Sequence, residues 1–65
     1  MLPLSKFINK DKKSEIFETD LGYIIKFYTN DKLVHTTNVA SHENPYIIAE
    51  DFVHNGDSAP KLLID

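Results

Sequence analysis

His35, His42 and His54 are the side chains of this sequence whose ordinary titration lies nearest neutral pH. Glu50 and His54 stand four residues apart, so on a helix they share a face. A metal centre needs two or three converging ligands at a recognised spacing, and His42-Glu43 with His54 offers none. The pair therefore reads as a surface contact near a helix C-terminus, where a cation is favoured. His35 reads as a half-exposed strand residue beside Lys26 or Thr37. Two carboxylate pairs stand close in sequence, Glu50-Asp51 and Glu15 with Glu18. Catalytic pairs need a cleft that drives their pKa values apart. A chain of 65 residues with its helix packed on its sheet leaves little room for one, so these pairs read as a solvated acidic face. Gly22 and Gly56 are the only glycines, which excludes a glycine-rich phosphate loop. Ser14, Ser41 and Ser58 lack the context of a nucleophile elbow. With no cysteine there is no thiol nucleophile, no thiolate metal site and no disulfide. These residues imply no enzyme, no metal and no cofactor.

The charges carry more information. All seven basic residues are lysine, and bidentate recognition of phosphate or guanine normally uses arginine. Lys6, Lys10, Lys12 and Lys13 face only Asp11 within residues 1–14, while nine carboxylates follow against three lysines. The part read below as folded is thus acidic, which repels nucleic acid and attracts basic protein surfaces. Lys10, Lys12 and Lys13 are either a solvated connector or an electrostatic arm for nucleic acid.

The elements that would position these groups follow from periodicity and turn chemistry. Leu4, Phe7 and Ile8 have helical spacing, so residues 1–9 form a short N-terminal helix or an extended arm, and 1–14 as a whole an arm and connector. Residues 15–39 read as a three-stranded antiparallel meander. Its strands are Glu15 to Thr19, Tyr23 to Phe27-Tyr28, and Leu33 to Val39. The turns are Asp20-Leu21-Gly22, closed by the positive φ open to glycine, and Thr29 to Lys32. Residues 44–55 predict a helix, with Asn44 or Ser41 as cap, Pro45 at the first helical position and Gly56 as stop. Ile48, Ala49, Phe52 and Val53 make its apolar stripe. Residues 57–65 form a tail ending in Leu62-Leu63-Ile64-Asp65.

Alternation along the second strand sends Tyr23, Ile25 and Phe27 to one face and Ile24, Lys26 and Tyr28 to the other. If Asn30-Asp31 is a two-residue turn, Phe27 lies opposite Val34 and Tyr28 opposite Leu33. Both faces then carry apolar groups, and one helix covers only one of them. The second must be covered by the N-terminal arm, by the tail, or by another chain. Ile24, Tyr28 and Leu33, with Ile47 beside the acidic Glu50 and Asp51, are the candidate protein contacts, tyrosine being a usual interface anchor.

The helix–strand–strand–strand–helix order resembles the double-stranded-RNA-binding domain in topology. That family contacts RNA through lysines at the start of its last helix. Here that place reads Glu43-Asn44-Pro45-Tyr46, followed by Glu50 and Asp51, so the phosphate-binding charge is inverted and RNA binding is rejected. The stretch Gly22-Tyr23-Ile24-Ile25-Lys26-Phe27-Tyr28-Thr29-Asn30-Asp31-Lys32-Leu33-Val34, with Ala40-Ser41-His42-Glu43, Tyr46 and Ala49-Glu50-Asp51, resembles small accessory proteins of tailed phages that infect marine cyanobacteria. The resemblance spans about residues 15–56. It departs at Asn44-Pro45, and it implies a sheet-plus-helix protein of unknown function that modulates a host protein.

The expectation is one small α+β domain over 1–65, a three-stranded meander with an amphipathic helix packed on one sheet face. No apolar run approaches the ~20 residues of a membrane span, and residues 1–8 do not read as a signal peptide. A cytoplasmic protein-interaction module with a protein partner or as a homodimer is expected, in the host cytoplasm if phage-encoded. The alternative is a nucleic-acid-associated protein using the lysine arm.

Overall fold

The computed structural model describes residues 2–55. Four strands run in chain order: β1 Ser5–Asn9, β2 Lys12–Thr19, β3 Gly22–Thr29 and β4 Lys32–Ala40, followed by the helix α1 Pro45–Asn55. They form one antiparallel sheet of order β1-β2-β3-β4. The architecture is the expected α+β meander with a helix on one face, enlarged by one strand. Residues 5–9, read from the sequence as a helix or arm, pair with β2 instead. Helical spacing of Leu4, Phe7 and Ile8 misleads here because Phe7 alone turns inward, packing against the core, while Leu4 and Ile8 are exposed. The lysines at 12 and 13 likewise belong to β2 and not to a connector. The proposed stop at Gly56 and the tail at 57–65 lie outside the described residues.

Each hairpin is tight, which is why the meander is simple. Asn30 and Asp31 both have positive φ, 53° and 66°, as a two-residue turn matched to strand twist requires. Lys10 takes the same left-handed region at φ 58°. The β1–β2 and β3–β4 turns meet at one end of the sheet, where the Asn30 amide donates to the Asp11 carbonyl at 2.8 Å. At the other end Gly22 opens β3 with φ 148°, and a Cβ there would run into the Val39 carbonyl oxygen and lie 2.9 Å from the Ser41 nitrogen.

The register explains the core. Ser14 lies opposite Phe27, Ile16 opposite Ile25, and Tyr23 opposite Val39, so these residues share one face. Ile16, Ile25, Phe27 and Val39 are buried there against Ala49, Phe52 and Val53 of α1. The Phe27 and Phe52 rings sit 4.7 Å apart at their centroids. Two polar contacts tie α1 to the sheet: the buried Ser14 hydroxyl donates to the Ala49 carbonyl at 2.9 Å, and the Asn9 side-chain amide donates to the Val53 carbonyl at 3.0 Å. Asn44 caps the helix as expected, its side-chain oxygen accepting from the Tyr46 amide at 2.9 Å.

One register detail departs from expectation. Tyr28 lies opposite Leu33, but Phe27 lies opposite His35, not Val34. Val34 is the extra residue of a β-bulge, and it is exposed. The shift brings the His35 ring onto Phe27, stacked at 5.8 Å, in place of the neighbours Lys26 or Thr37 expected for it.

Candidate functional site

The residues left over by the core define the site. Alternation sends Lys13, Glu15 and Phe17 of β2, and Ile24, Lys26 and Tyr28 of β3, to the face opposite α1. Cross-strand pairing arranges them in rows: Ile8–Lys13–Tyr28–Leu33, Lys6–Glu15–Lys26–Thr36, and Phe17–Ile24–Asn38. Among the described residues, no element packs on this face. Ile8 and Leu33 are 68% and 54% exposed at its two edges, and the residues between them are half-buried by one another.

Lysine stems and aromatic rings supply that mutual burial. The Lys13 ammonium lies 4.5 Å from the Tyr28 ring centroid, and the Lys26 ammonium 5.2 Å from that of Phe17. A cation over a ring face is attracted by the ring quadrupole, while its methylene stem covers apolar surface. The Tyr28 hydroxyl donates to Glu15 Oε1 at 2.9 Å. Partial burial, then that bond, then the Glu15 charge hold the Tyr28 phenol above its ordinary pKa. With three lysines against one carboxylate, the face is positive on a chain whose net charge is −3.

The structure brings together only half of the predicted contact set. Ile24, Tyr28 and Leu33 share the open face. Ile47, Glu50 and Asp51 belong to α1, on the opposite side of the sheet, so the six residues do not form one surface. Ile47 is exposed, and Glu50 approaches His54 at 3.8 Å in the expected surface pair. The Asn55 side-chain amide donates to Asp51. The lysine arm is not an arm. Lys10 sits in a turn, Lys12 donates to Thr29 Oγ1 at 3.1 Å with its ammonium 5.9 Å from the Phe52 ring, and Lys13 lies on the open face.

Ile8, Phe17 and Lys6 complete the face and escaped the sequence reading. Phe17 could have been placed by treating Asp20-Leu21 as a two-residue turn, which sets it opposite Ile24. Ile8 and Lys6 required recognising β1. Among the described residues, no three histidine, cysteine or acidic side chains converge as metal ligands, and no helix is long and apolar enough to cross a membrane. Comparison with protein families, curated proteins and solved structures finds no match to this chain.

Proposed function

We propose that this domain is a non-enzymatic protein-interaction module, and that its open sheet face seats a protein surface on which apolar groups and carboxylates are interleaved. The observation that carries this reading is the composition of that face. Two apolar pairs, Phe17 with Ile24 and Tyr28 with Leu33, and the edge residue Ile8 alternate there with Lys6, Lys13 and Lys26, with no described element upon them. Charge selects the partner's sign, since the cations on this face favour carboxylates and disfavour another basic surface. The ring faces of Phe17 and Tyr28 are occupied by lysine ammoniums, which leaves them poor stacking platforms for bases. A carboxylate-bearing protein therefore suits the face better than a nucleic acid. With the phage resemblance, that partner is a host protein and the chain an accessory that modulates it.

The test is capture from host-cell extract after nuclease treatment, with wild-type protein compared against two variants. Lys13→Glu with Lys26→Glu reverses the face's charge, and Glu50→Lys alters the helix side alone. A protein retained by wild type and by Glu50→Lys but lost by the double charge reversal supports the reading. Loss on nuclease treatment instead indicates a nucleic acid, and equal retention by all three rejects the face as the docking surface.

A further inference from the structure

We infer that β4 pairs edge to edge with β4 of a second copy of this chain, antiparallel about a two-fold axis passing through Thr36–Asn38. β4 closes the sheet order β1-β2-β3-β4, and one whole side of its backbone has no strand partner among the described residues. Such an edge presents a row of unpaired N–H and C=O groups and is a template for another strand. Natural sheets blunt such edges with proline, charge, bulges or shortness. β4 is nine residues long and contains no proline. Its one lysine, Lys32, and its one bulge, at Val34, both lie at its start. From His35 to Ala40 the strand is regular, with no charged side chain beyond the titratable His35.

Self-pairing suits this stretch in charge and in space. With the axis at Thr36, Thr37 or Asn38, His35 falls opposite Thr37, Val39 or Ser41 of the second copy, and Lys32 never meets its own copy. No like charges are therefore forced together. The helix packs over β1, β2 and β3, so it leaves the β4 edge open to approach. Two helices centred over β2 and its copy stand about 24 Å apart, counting five strand spacings of roughly 4.8 Å. That exceeds the ~8 Å Debye length at physiological salt, so the acidic helices do not oppose assembly. Face-to-face pairing of two open faces is the poorer arrangement, because it sets Lys6, Lys13 and Lys26 against an equally cationic face. An axis perpendicular to the sheet puts both open faces on the same side of a continuous eight-stranded sheet. The second copy then extends the face beyond Leu33, Thr36 and Asn38. The inference does not depend on what the open face binds.

Sedimentation equilibrium of the full chain from about 10 μM to about 1 mM tests it, because self-association is read as a mass rising with concentration. Wild type should move from 7.5 kDa toward twice that mass, while amide-exchange protection along β4 rises in step. Thr36→Lys with Asn38→Lys places lysines opposite one another across the seam. That variant should remain at the single-chain mass with an unchanged far-ultraviolet circular dichroism spectrum. Ile24→Asp, on the open face and away from the β4 edge, should leave the dimer intact. A wild type that stays at the single-chain mass throughout overturns the inference. So does β4 protection that is already complete while the mass is still that of a single chain, or a dimer lost in Ile24→Asp and kept in the double-lysine variant.

Discussion

Tyr28 concentrates the chemistry of the open face in one side chain. Its ring carries the Lys13 ammonium and its hydroxyl donates to Glu15, so ionising it exchanges a donor for a like charge beside a carboxylate. Partial burial, the hydrogen bond and the Glu15 charge all favour the protonated phenol in the folded state. The folded pKa therefore lies above the unfolded value of about 10. The stability this contributes is fully present below that unfolded value and is lost as pH rises through the higher folded one. Wild-type protein should thus lose urea resistance more steeply above pH about 10 than Tyr28→Phe, which has no phenol to ionise at this site. Phenolate absorbance supplies the second readout. One of the three tyrosines should titrate late in the folded protein, and Tyr28→Phe should remove that component. Identical alkaline profiles for the two proteins would show that Glu15 exerts no hold on Tyr28 in solution.

At the scale of elements, the start of β3 meets the end of β4 too closely to admit a side chain. Gly22 has φ 148° and lies against the Val39 carbonyl and the Ser41 nitrogen. Both the backbone conformation and the space exclude a side chain. Gly22→Ala should cost about 1–3 kcal/mol from backbone strain alone, with the clash adding to it, read from the urea midpoint. Leu21→Ala, at an exposed turn residue one position earlier, should leave that midpoint nearly unchanged. Strand β3, the start of the helix and the Asn44 cap were legible in sequence because local signals agree there: β-branched and aromatic residues in alternation, then Asn-Pro before an apolar stripe. Strand β1 was hidden because its five residues have neither a helix's length nor a clean alternation. Ser5 and Asn9 flank Phe7 on the inner side, and polar residues there look like a loop until Asn9 is seen donating to Val53. The bulge at Val34 was equally hidden, since Leu33-Val34-His35 reads as regular strand, and only pairing against β3 reveals that two residues oppose one. The open face inherited both gaps. Its members Ile24, Tyr28 and Leu33 followed from alternation, whereas Ile8, Phe17 and Lys6 needed the fourth strand and the correct turn length.

For the molecule as a whole, one helix and one sheet face supply the only hydrophobic core among the described residues. A chain of 65 residues buries roughly 60% of the surface its unfolded form exposes. Stability at the low end of the usual 5–15 kcal/mol range follows. Phe52 is 3% exposed and packs its ring against Phe27, so removing it opens a cavity that so thin a core cannot collapse around. Phe52→Ala should cost about 3–5 kcal/mol. That loss approaches the whole stability and should leave the chain largely unfolded by circular dichroism and amide exchange. The open face obeys a different rule. Its apolar groups remain partly wet in the folded domain, so placing a carboxylate among them forfeits little burial. Ile24→Asp should then cost only about 1 kcal/mol, the spread of strand preferences, and retain a folded spectrum. A domain that tolerated Phe52→Ala but unfolded with Ile24→Asp would place its working core on the wrong side of the sheet. The ordering expected here, with the helix face intolerant and the open face tolerant, leaves the open face free to be selected for a partner instead of for folding.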